Sequence, residues 1–373
     1  MSDGRDWPLG LARLAQALGR DLQHAARSAG GPERLWRADV AALGRALRVE
    51  GAELAVARAA RSRIDLGAER AALAAAGIVH VGMPEPVYPA PLAELPDPPF
   101  GLFVRGAVEE ALALLAQAPV VAIVGSRRAT AAGLALARRL AGELAERGAV
   151  VVSGLAHGID AAAHEGALAA GGVTVAVLGC GVDVPYPRRN RPLARRVLER
   201  GALVSEYWPG TTPAPWRFPA RNRIVAGLAG AVAVVEAGRR SGALITADFG
   251  LELGRPVLAV PGWPGALASE GANGLLRAGA ALLESADDVV AEMPHATWRA
   301  ISPPCPPVLD GLPGRVHELL ARQPLDADAL AGALDEDPAA IVRALALLEV
   351  DGIAIRGEGQ RYWATPARIA RGG

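Results

Sequence analysis

The chain has 373 residues, 51% of them hydrophobic and 21% charged. That length implies two or three domains, and that composition excludes a disordered chain. Its 39 basic and 39 acidic residues cancel, which taken alone argues against a nucleic-acid protein. No apolar run reaches the roughly 18 residues that a membrane helix needs. The start, Met1-Ser2-Asp3-Gly4-Arg5-Asp6, lacks the apolar stretch of a secretory signal. Cys180 and Cys305 make neither a disulfide framework nor a zinc spacing. The expectation is a soluble, cytoplasmic protein with no metal and no cofactor.

Residues 1–80 read as a small helical domain. Leu9 to Leu18, Pro32 to Leu47, Ala52 to Ser62 and Ala68 to Ala75 carry apolar residues at three- and four-residue spacing. Two proline-rich stretches mark joints, because proline blocks both helices and central strands. Pro84 to Pro99 holds seven prolines and Pro294 to Pro313 holds six. The first lies in a lead-in, residues 83–100, to a domain spanning 81–295, and the second covers a linker at 296–310.

Within 101–290 short apolar runs alternate with helical stretches. The runs are Val120–Val124, Val150–Val152, Val173–Leu178, Leu203–Ser205, Val232–Glu236, Val257–Val260 and Ala281–Glu284. Helical patterns cover Ala131–Arg147, Asp160–Ala170 and Ala243–Leu253. The alternation predicts βαβ units and a parallel sheet with helices on both faces, an α/β fold. Ligands of such sheets bind beyond the carboxyl ends of the strands. Residues 311–366 read as three helices and a hairpin, the order of a winged helix. Asp326 is placed to cap the second helix, and Asp337-Pro338 to start the third.

The charge is distributed unevenly. From Cys180 to Arg240 eleven Arg face four acids, whereas from Gly311 to the end seven Arg face nine acids. There is no Lys, so every basic contact falls to Arg, which both pairs with phosphate and stacks on bases. A GC-rich genome explains the missing Lys equally well.

The loops at the predicted strand ends carry the chemistry. After the first strand comes Gly125-Ser126-Arg127-Arg128, entering a helix whose free N–H groups favour phosphate. After the second comes Ser153-Gly154-Leu155-Ala156-His157-Gly158-Ile159-Asp160, another loop suited to anions. His157 is either an acid–base group or a structural one, and Asp160 reads as a helix cap. The third strand runs into Gly179-Cys180-Gly181, then Tyr186-Pro187-Arg188-Arg189-Asn190. The fourth leads to Trp216-Arg217-Phe218 and Arg221-Asn222-Arg223, and the fifth to Gly238-Arg239-Arg240-Ser241-Gly242. A groove that combines these Arg with Tyr186, Trp216 and Phe218 suits one unpaired strand of nucleic acid, where a stacked base contributes about 1–3 kcal/mol. Core packing is the plain alternative for each aromatic, and a solvated face for each Arg. Without Lys a G-x-x-x-x-G-K-[ST] loop is impossible. G-x-G-x-x-G is absent after the first strand, and neither G-x-S-x-G nor H-E-x-x-H occurs.

These segments resemble the DNA-processing protein A (DprA, or Smf) family. The match rests on Gly125-Ser126-Arg127, Ser153–His164 (SGLAHGIDAAAH), Gly179–Asn190, Phe218–Leu228 (FPARNRIVAGL), Ser241–Ala247 (SGALITA), Gly254–Gly262 (GRPVLAVPG) and Gly271-Ala272-Asn273. The resemblance implies a Rossmann-like doubly wound, mostly parallel sheet, with a sterile-alpha-motif-like helical extension before it and a winged helix after it. It implies a non-enzymatic homodimer that binds incoming single-stranded DNA during natural transformation and loads the recombinase RecA onto it, away from any membrane. Carried over by position, Ser126 and Arg127 belong to the strand-binding loop, and Arg188 or Arg189 stands where the family often has Lys. Asn222 and Ser241 line the same groove. The winged-helix segment departs from a DNA reader, because its third helix carries only Arg343 and its wing region sets Glu358 beside Arg356 and Arg361. Protein contact or duplex-independent scaffolding is its better reading. Two competing functions are a phosphoribohydrolase-type nucleotide enzyme, although its P-G-G-x-G-T loop is replaced by Gly238–Gly242, and a nucleotide sensor.

Overall fold

A computed structural model describes residues 6–184, 186–301, 311–350, 353–357 and 360–364. The chain divides into two compact units, Met1–Pro303 and Pro304–Gly373.

The first unit opens with six helices: α1 Trp7–Leu18, α2 Gln23–Ser28, α3 Pro32–Arg37, α4 Val40–Leu47, α5 Gly51–Ser62 and α6 Leu66–Ala75. The segment Pro32–Leu47, read above as one helix, is two. Ala38 is extended, and the Asp39 carboxylate accepts the Ala42 N–H at 2.7 Å, so a fresh helix begins there. Leu11, Leu14, Leu22, Leu35, Leu43 and Leu47 meet in the centre of this region. Leu9 of α1 and Leu73 of α6 instead pack onto Phe103 of the sheet.

The sheet elements follow: β1 Val79–Gly82, α7 Ala90–Ala93, β2 Gly101–Gly106, α8 Val108–Gln117, β3 Val120–Val124, α9 Ala131–Glu146, β4 Val150–Ser153, α10 Ile159–Ala169 and β5 Thr174–Val177. Then come α11 Arg191–Arg200, β6 Ala202–Ser205, α12 Arg217–Leu228, β7 Ala231–Val234, α13 Gly242–Glu252, β8 Val257–Ala259, α14 Glu270–Arg277, β9 Ala281–Leu282 and α15 Ala286–Glu292. The strand order is β1-β2-β6-β5-β4-β3-β7-β8-β9. β3 to β9 are parallel, and β1 and β2 are added antiparallel at the β6 edge. β1 was not foreseen, and its first residues fall inside the stretch read as helical.

Both faces of the sheet are buried, which is why β3 reads as five consecutive apolar residues. Val121 and Ile123 face Leu140 and Leu144 of α9, while Ala122 and Val124 face Ile224 of α12 and Ala247 of α13. In α9 the buried residues Ala137, Leu140, Ala141 and Leu144 form one helical stripe. The chain leaves β3 toward β4 through α9, and leaves the neighbouring β7 the other way, toward β8, through α13. The sheet is therefore doubly wound, and its crevice opens where β3 and β7 diverge.

The second unit holds α16 Gly311–Leu320, α17 Ala327–Leu334, α18 Pro338–Val350 and an antiparallel pair, β10 Ala354–Arg356 with β11 Tyr362–Ala364. The Asp326 carboxylate caps α17 through the Ala329 N–H at 2.8 Å. Val316, Leu330, Ile341, Leu345 and Leu348 form the centre of this unit. Glu358 and most of the linker, residues 302–310, lie outside the described residues.

Candidate functional site

At the β3/β7 divergence lies an open groove of about 820 Å³. Gly125, Ser126, Arg127 and Arg128 form one side, following β3, and Gly238, Arg240, Ser241 and Gly242 form the other, following β7. Gly154, Tyr186, Phe218, Arg221 and Asn222 complete it. Arg127, Arg128 and Arg240 are exposed, and none makes an ion pair among the described residues. Free guanidinium groups converging on a concave surface focus a positive potential. The Arg127 guanidinium stands 5.4 Å above the Phe218 ring, and Phe218 stacks on Tyr186 at 5.4 Å and 26°. Charge and ring surface thus alternate along the wall. α13 begins in the groove, with its cap Ser241 and Gly242 on the wall, so the positive end of its dipole faces the opening.

Two glycines let the loops close on one another. Gly158 has φ +80°, and a Cβ there would lie 2.1 Å from the Ser126 carbonyl oxygen. A Cβ at Gly154 would lie 2.3 Å from Arg221 Nη2 and 2.7 Å from Asp160 Oδ2. Below Gly154 these two charged groups form the floor. Arg221 is 4% exposed and donates from Nη1 to the Gly154 carbonyl at 3.0 Å. Burial raises the Asp160 carboxyl above the usual range, opposed by the Arg221 charge and by backbone N–H donors. Asp160 is not the helix cap. Gly158 occupies that position, and the Asp160 carboxylate accepts the Ala156 N–H at 3.3 Å.

The N-terminus of α9, offered above to phosphate, is already filled. Thr130 Oγ1 accepts the Gly133 N–H at 3.0 Å and donates to Glu236 Oε2 at 2.8 Å. The Thr130 N–H also points at the Glu236 carboxylate, at 3.2 Å. A buried carboxylate therefore sits where an anion was expected.

Other residues singled out from the sequence stand apart from the groove. Ser153 is buried, and its Oγ donates to the Ile123 carbonyl at 2.6 Å. Asn190 Nδ2 donates to the Leu155 and Ala156 carbonyls at 2.9 and 3.1 Å, so it clamps the β4 loop from behind. Gly181 is buried, and its N–H donates to the Thr211 carbonyl. Arg188 and Arg189 are exposed on a short 3-10 turn outside the groove lining. Arg239 pairs with Glu270 at 3.3 Å. His157 and Gly179 line a smaller adjoining cleft of about 70 Å³, behind Arg127, Tyr186 and Phe218. Trp216 lines a different cavity altogether. Of the two neighbouring arginines named in the fifth loop, Arg240 lines the wall and Arg239 does not.

Little in the groove resembles an acid–base or nucleophilic set. The Cys180 thiol is buried and pushed up to about 11, chiefly by desolvation. His164 is buried too. Its Nδ1–H donates to Thr174 Oγ1 at 2.7 Å, because that hydroxyl spends its own proton on the Val151 carbonyl. Burial pushes His164 down to about 3, so it stays neutral. Among the described residues no group of three or more His, Cys, Asp and Glu could hold a metal ion. Nor is any described helix long and apolar enough to cross a membrane.

The doubly wound sheet and its arginine-walled crevice define a Rossmann-like protein with an open groove at the strand ends. Residues 80–294 match the family model described as DNA recombination-mediator protein A, and the chain belongs to that family. A DprA relative of Mycobacterium tuberculosis is 46% identical over 257 residues, 68% of this chain and 64% of that protein. The chain thus aligns with somewhat under two thirds of that relative's length. The DNA processing protein DprA of Streptococcus pneumoniae is 44% identical over 205 residues, 55% of this chain and 71% of that protein. The X-ray structure of DprA from Streptococcus pneumoniae superposes with a TM-score of 0.64 at 34% identity, covering 78% of this chain and 98% of that one. DNA processing protein A of Helicobacter pylori, whose structure was described for its single-stranded DNA binding mode, gives 0.52 at 30%, covering 58% and 96%.

Proposed function

We propose that the groove binds single-stranded DNA and that the protein acts as a recombination mediator, protecting incoming strands and loading RecA onto them during DNA uptake. The observation that carries this is the Arg127–Phe218–Tyr186 stack, set in a crevice with Arg128 and Arg240 unpaired. Guanidinium groups hold the sugar-phosphate chain, and the rings take bases without regard to sequence. A likeness to the Helicobacter pylori protein, named for its single-stranded DNA binding, supports the same assignment. Gly125, Gly154 and Gly242 bring backbone close to the strand, and Ser126, Asn222 and Ser241 offer polar contacts. Arg221 supplies charge from below.

The chain works as a cytoplasmic homodimer with no catalytic step. Its C-terminal unit is a winged helix that contacts protein rather than duplex DNA, since it carries more acids than Arg. Residues 1–80 form a sterile-alpha-motif-like extension, 81–295 the strand-binding domain and 311–366 the winged helix. Titration of fluorescent oligo-dT, with and without duplex competitor, tests the binding. Oligo-dT binding that duplex does not displace is expected. Equal displacement by duplex, or no binding, overturns it. RecA loading is tested by strand exchange on strands first coated with a single-strand-binding protein. The protein should relieve the block, and an unrelieved block contradicts the mediator role.

A further inference from the structure

α12 separates two concave surfaces. Phe218, Pro219, Arg221 and Asn222 face the groove, while Arg217, Ala220 and Arg223 face a second cavity of about 350 Å³. This cavity lies between the loop that follows β6 and the N-terminal region, which contributes Ala12 and Ala15 of α1 and Leu22 just before α2. Its size is within the range of small-ligand sites.

Its chemistry is unlike that of the groove. Arg223 is buried and neutralised: Glu206 accepts from both its terminal nitrogens at 2.8 and 2.7 Å, and Asp97 accepts from Nε at 3.0 Å. A phosphate entering here would meet carboxylates. The remaining wall mixes polar residues, among them Arg20, Asp21 and Thr211, with aromatic rings. Tyr207 and Trp216 lie edge to face at 6.3 Å, with the Arg217 guanidinium 5.1 Å from one ring and 4.8 Å from the other. Arg217 Nη1 donates to the Thr212 carbonyl, but its Nε is buried without an acceptor. Trp216 is 55% exposed. A planar, uncharged group fits such a site by stacking on the exposed Trp216 ring.

The two surfaces meet at consecutive residues, since Pro215 lines the groove and Trp216 lines the cavity. Resting on the reading of the groove as a strand site, we infer that the cavity seats a base of that same strand. The groove holds the backbone by its free arginines. The chain then crosses the N-terminus of α12, and a base turns into the neutral cavity against Trp216. The N-terminal helices form the far wall, so a long strand contacts both regions of the first unit.

Oligo-dT of increasing length, carrying one 5-iodouracil at successive positions, tests this by photocrosslinking and affinity. In the native protein one set of positions crosslinks to Tyr186 or Phe218, and positions further along crosslink to Trp216 or Tyr207. Trp216→Ala weakens long oligomers by about tenfold, in line with the loss of one stacked base. It leaves short oligomers that fill only the groove unchanged, and Trp216→Phe restores most of the loss. Crosslinks confined to Tyr186 and Phe218, with equal affinity of Trp216→Ala at every length, overturn the cavity assignment while the groove stands. Absence of all binding by the native protein removes both. Saturable binding of free thymidine to the cavity, without strand crosslinks there, places a nucleoside in it and contradicts the continuous track. Should Trp216→Ala fail to fold, the crosslinks on the native protein decide.

Discussion

The two sides of α12 hold arginines of opposite fate. On the groove side Arg127, Arg128 and Arg240 are exposed and make no ion pair among the described residues, although Arg127 rests on the Phe218 ring and feels the Asp160 carboxylate on the groove floor. On the cavity side Arg223 is 4% exposed and fully answered by Glu206 and Asp97. Arg221 is intermediate, since it is equally buried but faces the groove floor beside Asp160. The difference separates two uses of one residue type. Buried, paired guanidinium groups fix the position of α12, and unpaired ones remain available for a polyanion. Counting Arg along the segment Cys180–Arg240 merges these uses, and the resulting surplus overstates the charge in the groove.

Substitutions on either side should behave differently, with the largest effect on the buried side. Glu206→Ala leaves Arg223 buried with Asp97 alone and should cost about 3 kcal/mol of stability, read from urea unfolding. Its salt dependence of DNA binding should match that of the native protein. A marked change in that dependence would mean Arg223 contributes to the groove.

Acid sharpens the contrast from another side. His80 and His164 are held neutral, each pushed down to about 3 by burial. A depressed folded value means that stability is complete above about pH 6.5 and is lost as pH falls below it, because the unfolded chain takes up the protons. Between pH 6.5 and 5 each histidine should lower stability with a slope that rises from about 0.7 to nearly 1.4 kcal/mol per pH unit. Unfolding midpoints measured across that window check this, and His164→Gln should halve the slope. Both histidines lie outside the groove lining, so DNA affinity should hold wherever the protein remains folded.

Smaller still is the loss of a single groove ring. Phe218→Ala removes the platform between Arg127 and Tyr186 and should weaken oligo-dT about tenfold by fluorescence anisotropy. An unchanged affinity would make Phe218 a core residue.

The sheet was legible because its strands are buried on both faces and read as unbroken apolar runs, such as Val120–Val124. The small helical region was less so. A helix pattern through Pro32–Leu47 hides the break at Ala38, which depends on one Asp39 hydrogen bond. The site was legible as a set of loops at one sheet edge, but side-chain direction within them was not. Ser153 and Asn190 have the polarity of ligand-binding residues, yet both serve backbone carbonyls. Glu236 closes the α9 N-terminus from 106 positions away from Thr130, a contact that no local pattern reveals. Arg221 and Arg223 sit two residues apart and bury on different sides of α12, so spacing alone could not sort them from Arg127.

The most direct measurement is the salt dependence of oligo-dT affinity for the native protein and for a variant with Arg127, Arg128 and Arg240 all replaced by Ala. Each guanidinium that neutralises a phosphate on a single strand contributes about 0.7 to the slope of log affinity against log salt. The variant should bind with a slope shallower by about 2, while its thermal melting stays native. Parallel slopes for the two proteins would contradict the groove as the place where the strand is held.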